Sequence, residues 1–192
     1  MTQEIIQYLS QYVDLSEELI QSIEQSTLVQ SFPKGTLLLK EGEKADHSYF
    51  VLKGCIRSYK SPGYNERTLD FFTEMQIAVP LTYGEDRPSP HYLECLEDTL
   101  VTVSTPEIES EGFAKHPEFE SLCRIMSEKF LNENQQDFLE FRQASPEERY
   151  LNLQRNRPNL LQRAPQYQIA SYLGMTAESL SRIRKRQTKK KD

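Results

Sequence analysis

The chain is expected to be an α+β protein in which a run of short strands lies between two helical parts. Three observations lead there. Between Leu28 and about Thr105, short apolar or alternating stretches (TLLLK, SYFVLKG, CIRSYK, TLDFF, YLECL, LVTVS) are separated by turn residues at Gly35, Gly42, Gly54, Pro62-Gly63 and Gly84 through Pro90. Many short strands at this spacing indicate a β-barrel or sandwich. No long helical pattern interrupts them, which argues against a doubly wound α/β sheet. From His116 onward the period changes, and a glycine-free stretch of helical character begins.

Taken in order, residues 1 to about 26 read as helical. Leu15, Leu19 and Ile23 recur every four residues behind a start signal at Asp14 and Ser16. The strand region follows. In HPEFESLCRIMSEKFLNENQQDFLEFRQ the single proline is near the start, where a helix tolerates one. Phe119, Leu122, Met126 and Phe130 form an apolar stripe that Phe138 and Phe141 extend. Roughly 25 residues is long for a globular helix, so a helix that also pairs with its copy in a second subunit is expected. The polar stretch Asn132 to Asp137 argues against a strict heptad seam.

Ser145-Pro146-Glu147-Glu148 then has the form of a helix start, with Ser as N-cap, Pro in the first turn and acids near the positive end of the dipole. Tyr150, Leu151 and Leu153 supply its apolar contacts, and it should stop near Arg157-Pro158. Residues 143–145 make a hinge between two domains. NLLQRAPQY is a short connector to the next helices.

The charge distribution says more than the net of −6. Residues 145–192 carry 11 Lys/Arg against 4 Asp/Glu, a balance of +7, which leaves 12 against 25, or −13, for residues 1–144. A basic end on an acidic body suits a polyanionic partner, although a solvated basic tail would show the same count. No apolar run approaches the length needed to cross a bilayer, and the N-terminus lacks the basic start and apolar core of a signal peptide. Cys55, Cys95 and Cys123 are odd in number and far apart, which fits reduced thiols in a cytoplasm. No two of them lie at metal-ligand spacing, and the strand region holds only His47 and His91. There is thus no metal, haem or iron–sulfur signal, and no catalytic constellation points to an enzyme.

QIASYLGMTAESLSRIRK, from Gln168 to Lys185, carries the functional signal. Ile169, Tyr172 and Leu173 are available to pack, Gly174 can end the first helix with positive φ, and Thr176 can cap the second. In that second helix Leu180 and Ile183 point one way. Glu178, Ser181, Arg182 and Lys185, at i, i+3, i+4 and i+7, lie on another face. This is the pattern of a helix–turn–helix, whose second helix enters the major groove of double-stranded DNA. Arg182 suits guanine, Glu178 a cytosine amino group, and Arg184, Lys185 and Arg186 suit phosphates.

These residues resemble the helix–turn–helix of the Crp/Fnr transcription regulators, particularly Bacteroidetes-type members. Ile169, Gly174, Thr176, Glu178, Leu180, Arg182 and Ile183 match the pattern. FPKGTLLLKEGEKADHSYFVLKGCIRSY independently resembles the opening of a cyclic-nucleotide-binding β-roll, through Lys34-Gly35, Gly42 and the YFVLKG ending at Gly54. The resemblance implies a double-stranded β-helix (β-roll) sensor over 1–115, a long dimerisation helix over 116–143 and a C-terminal winged helix–turn–helix over 144–192. It implies a homodimer bound to double-stranded DNA, with RNA polymerase as a further partner. Thr176, Ala177, Glu178, Ser181, Arg182 and Lys185 would form the DNA-contacting set. Ala177 stands where the cyclic-AMP receptor protein has a basic residue against DNA, so the target sequence should differ, and the short NLLQRAPQY region implies fewer wing contacts.

The effector is another matter. The family neutralises a buried phosphodiester with a Gly-Glu pair, a helix N-terminus and an Arg-Ser pair. Here Ala78-Val79 stand where Gly-Glu is expected, and SPHYLE where Arg-Ser-Ala would lie. Arg87 could substitute only if its loop folded inward. This argues against cyclic AMP and leaves an unidentified small molecule, or none, with Ala78, Val79, Tyr83, Arg87, Ser89, His91 and Tyr92 near the expected pocket mouth. The rival reading is a small-molecule-binding β-barrel whose basic hairpin contacts another protein.

Overall fold

The computed structural model of the chain describes residues 2–24, 28–61, 63 and 65–189. Residues 25–26 of the expected first helix, Pro62 of one expected turn and residues 190–192 of the basic tail lie outside the described residues.

The expected N-terminal helix is two helices, α1 (Thr2–Leu9) and α2 (Glu17–Glu24). The break falls at the start signal itself, where the Ser16 hydroxyl accepts the Leu19 N–H at 3.1 Å and begins α2. Eight strands follow: β1 (Val29–Phe32), β2 (Leu37–Leu39), β3 (Ser48–Lys53), β4 (Ile56–Lys60), β5 (Arg67–Phe72), β6 (Ile77–Ala78), β7 (Tyr92–Cys95) and β8 (Thr99–Ser104). They form two four-stranded antiparallel sheets, ordered β1-β8-β3-β6 and β2-β7-β4-β5. The alternating pattern of β8 places Val101 and Val103 in the core. Val51, Ile56, Ala78, Leu93, Cys95 and Val101 join one buried cluster within the roll.

After β8 the described residues are helical: α3 (Pro106–Lys115), α4 (Pro117–Gln143), α5 (Pro146–Asn156), α6 (Leu160–Arg163), α7 (Gln166–Tyr172) and α8 (Ala177–Lys189). Helix α3 begins earlier than the His116 boundary read from the sequence. Its signal was present: Thr105 caps it, accepting from the Ile108 N–H, with Pro106 in the first turn. Helix α5 starts in a full capping box between Ser145 and Glu148 and stops at Asn156, as its proline predicts.

The wing expected around NLLQRAPQY is corrected. Among the described residues no strand follows β8, and this stretch contains α6 instead. Leu160 and Ala164 are buried there, and such packing favours a helical turn over an exposed hairpin. No helix of the described residues is long and apolar enough to cross a membrane.

Helices α5 to α8 form a module with its own apolar core, including Tyr150, Leu153, Leu160, Ile169, Leu173, Leu180 and Ile183. That core is continuous with Cys55, Phe71 and Leu96 of the roll. The module therefore sits against the second sheet rather than swinging free on residues 143–145.

Candidate functional site

The pair α7–α8 is built from its apolar side outward. Gly174 has φ +66°, which lets the chain leave α7 and turn within a few residues. The Thr176 hydroxyl accepts the Ser179 N–H at 3.2 Å and caps α8. Leu180 and Ile183 are buried against Ile169, Ala170 and Leu173. Helical geometry then turns Thr176, Ala177, Glu178, Arg182 and Lys185 outward, and all five are exposed. Ser181 is half-buried at the margin of this face. The six residues expected to act together thus share the first turns of one helix.

The electrostatics of this face are graded. Backbone bonding at the start of α8 lowers the Glu178 pKa, with help from the Thr176 hydroxyl and the charge of Arg182. Arg182 donates to the Ser179 hydroxyl at 3.2 Å, which keeps its guanidinium beside the helix start. Arg186, expected on phosphates, instead lies 3.7 Å from Glu147 of α5, next to a 2.7 Å bond from Gln187 to the same carboxylate.

The seven residues expected at the pocket mouth do not converge. Ala78 is fully buried in the roll core, opposite Tyr49, whereas Val79, the next residue, is 47% exposed. Tyr83 donates to Glu109 of α3 at 2.9 Å. Arg87 is exposed and paired with Glu85 two residues away, so the loop does not carry its charge inward. Ser89 is buried and structural. Its N–H donates to Glu43 O at 2.7 Å, its hydroxyl donates to His91 O at 2.9 Å, and its carbonyl accepts from Gly42. Tyr92 stacks on Tyr59 with centroids 4.9 Å apart. His91 is buried, which pushes its pKa down, as does the charge of Lys60. Its Nδ1 and the buried Thr82 Oγ1 are polar atoms without a partner among the described residues.

One buried cation was missed. Arg57 is 1% exposed, bonded to Glu66 at 2.6 Å and Thr68 at 3.0 Å, with its guanidinium 4.3 Å from the Tyr59 ring. It is not a pocket arginine. Its neighbour Ile56 faces the roll core, so strand alternation sends Arg57 to the opposite face, beside the module. The signal was the period-two alternation that puts Arg57 on the same face as Cys55 just before β4 and Tyr59 within it.

The long helix is divided in burial, so Phe119, Leu122 and Met126 of the expected dimer stripe pack within the chain itself. Phe119, Leu122 and Met126 are buried or half-buried, and Phe119 packs on Phe113 of α3 with centroids 5.4 Å apart. From 127 to 143 every residue is exposed. Phe130, Leu131, Phe138, Leu139 and Phe141 are among them, Leu131 at 68% and Phe138 at 59%.

This architecture is a cyclic-nucleotide-binding-type β-roll followed by a long helix and a compact helical module. Residues 29–107 match the Cyclic nucleotide-binding domain family. Among solved structures, the chain is similar to FixK2 from Bradyrhizobium japonicum (20% identity, TM-score 0.64, covering 84% of each chain). It is also similar to the c-di-GMP responsive global regulator CLP of Xanthomonas campestris (14% identity, TM-score 0.64, covering 84% of this chain and 86% of that one). A third likeness is to the Thermus thermophilus catabolite activator protein (18% identity, TM-score 0.52, covering 93% and 86%). These likenesses show the fold. A comparison with curated proteins finds no match.

Proposed function

We propose that this chain is a dimeric, sequence-specific, DNA-binding transcription regulator of the Crp/Fnr type, and not an enzyme. The observation that carries the reading is the exposed face of α8, where Glu178, Arg182 and Lys185 follow a Thr176-capped start and are held outward by buried Leu180 and Ile183. A capped helix presenting polar side chains from its N-terminal half is what major-groove reading requires. Arg182 would read guanine, Glu178 cytosine, and Lys185 and Arg184 would bind phosphates, with Arg186 partly committed to Glu147.

The exposed half of α4 supports the dimer. Leu131 and Phe138 are seven residues apart on one helical line, the spacing that keeps a seam facing a second helix. A second copy would cover these side chains and set two α8 helices about one DNA turn apart, where such a regulator would also meet RNA polymerase. The effector is an unidentified small molecule, or none, rather than cyclic AMP. The cationic partner a phosphodiester needs is missing from the expected mouth, since Arg87 pairs outward with Glu85. CLP, a protein of similar fold, is described as c-di-GMP responsive, which fits a signal other than cyclic AMP.

The test is duplex binding by the Arg182→Ala variant. Loss of one bidentate base contact should weaken specific binding by about 1–3 kcal/mol, roughly 5- to 150-fold, and relax preference at one base pair per half-site. Unchanged specific binding would remove α8 from the reading role.

A further inference from the structure

We propose that Arg163, assisted by Arg157, is an ionic clasp that fixes the helical module, and with it the reading face of α8, at one orientation on the β-roll. Arg163 ends α6 and reaches two turns of the roll. It donates to both oxygens of Glu74, in the β5–β6 turn, at 2.8 and 2.9 Å. Its Nε donates to Glu97, in the β7–β8 turn, at 3.0 Å. The first contact is a bidentate fork, the geometry that gives an arginine–carboxylate pair its direction as well as its strength.

The two acceptors belong to a common platform. Glu74 also accepts the Gly54 N–H at 2.9 Å, which ties in the β3–β4 turn. Gly54 has φ +113°, and a Cβ there would meet the Thr99 hydroxyl at 2.6 Å, so only glycine allows this approach. The Thr99 hydroxyl in turn donates to Glu97 O at 2.8 Å. Three turns at one end of the roll are thus joined, and Arg163 bonds two of them directly and the third through Glu74.

Arg157 adds a second attachment, to strand β5. It donates to Phe71 O at 2.6 Å and lies 3.7 Å from Asp70. The Ser171 hydroxyl of α7 accepts the Thr68 N–H at 3.0 Å. Every carboxylate here comes from the roll and both arginines come from the module, so part of the charge asymmetry along the chain is satisfied within it. The apolar layer beneath, Phe71 edge-on to Tyr172 at 5.3 Å, supplies attraction without a fixed angle. The Arg163–Glu74 fork and the Arg157 bond to Phe71 O supply the angle. On the other side a cleft of about 510 Å³, between α4 and the module and bordered by Asp137, Arg149 and Tyr172, leaves the module room to tilt once released.

The clasp orients and does not mask, because Glu178, Arg182 and Lys185 remain exposed while it is closed. Its consequence for DNA rests on the proposed function: with the module fixed to each roll, two recognition helices in a dimer keep one spacing. The experiment is amide hydrogen exchange on full-length wild type, Arg163→Gln and Glu74→Gln, paired with binding to duplexes carrying one or two half-sites selected by the wild type. In both variants α6–α8 should exchange about tenfold faster or more, while Val51 and Val101 in the roll core keep their wild-type rates. Two-half-site affinity should fall about tenfold with single-site affinity unchanged, because the loss is one of alignment. Unchanged exchange in α6–α8, equal acceleration of roll and module, or loosening with undiminished two-site binding would each overturn the proposal. If wild type selects no duplex at all, the DNA reading fails while the exchange result still decides the clasp.

Discussion

Arg163 and Glu74 meet in a two-point fork across the boundary between module and roll, and the same carboxylate holds the Gly54 N–H. Burial alone would push the Glu74 carboxyl up, but these partners outweigh it and hold its pKa down to about 2. A carboxylate whose folded pKa lies below its usual 4.5 contributes stability that is fully present above that value. The contribution is lost as the pH falls toward 2. Thermal melts from about pH 6 to about pH 3 should show an acid slope that Glu74→Gln reduces. Because Glu74 is 41% exposed, solvent screening limits the effect to about 1 kcal/mol. A Gln variant with the wild-type slope would separate the fork from stability.

His91 gives a second pH dependence in a different window. Burial holds its pKa below the usual 6.5, so the folded state favours the neutral ring. Its contribution is present above about pH 6.5 and lost as the pH falls through the depressed folded value, since the unfolded chain takes up the proton first. His91→Asn should flatten the melting temperature between about pH 7.5 and pH 5 relative to wild type. Equal slopes in the two proteins would mean that His91 titrates as freely as an exposed histidine.

The exposed half of α4 predicts an assembly defect. Phe138→Glu places a charge on the stripe shared with Leu131, where the side chain has little to lose in the isolated chain. Sedimentation should find wild type dimeric and the variant shifted to monomer, with helix content unchanged by circular dichroism. A wild-type monomer at tens of micromolar, or a dimeric variant, would move the interface elsewhere.

The turn between α7 and α8 predicts a stability cost. Gly174 at φ +66° lies where an added Cβ would come within 3.2 Å of Arg149 and 3.3 Å of the Phe141 ring. Arg149 is occupied there, donating to Phe141 O, Ala144 O and Leu173 O. Gly174→Val should therefore destabilise the chain by about 1–2 kcal/mol from the left-handed backbone alone, read as a lower denaturant midpoint. An unchanged midpoint would show that the turn can be remade without positive φ.

Much of this architecture was legible in the sequence because local chemistry repeated it. Ser145-Pro146 before two acids, and Thr176 after Gly174, are caps whose hydrogen bonds span only three residues, and both formed where expected. The six strand runs became strands for the same reason of period. What was hidden depended on distant partners. Strand β1 is mostly exposed, and β6 is two residues long, so neither has a strong pattern of its own. Arg163 read as one more basic residue in a basic segment, because Glu74 and Glu97 lie 89 and 66 positions away. The apolar stripe of α4 was visible, but its division at Met126 was not, since only folding decides which turns meet the chain's own helices. The pocket set was the least legible. Proximity in sequence gathered Ala78 to Tyr92, whereas strand alternation and the Glu85–Arg87 pair scattered their side chains.

The most direct measurement is selection of duplexes from a random pool by the full-length protein, followed by titration of the selected duplex at several salt concentrations. The account predicts a near-palindromic site with half-site centres about 10 base pairs apart, and a log–log salt slope equal to about −0.9 for each phosphate neutralised. Recovery of no preferred sequence, or binding that does not weaken with salt, would contradict the claim that α8 reads DNA.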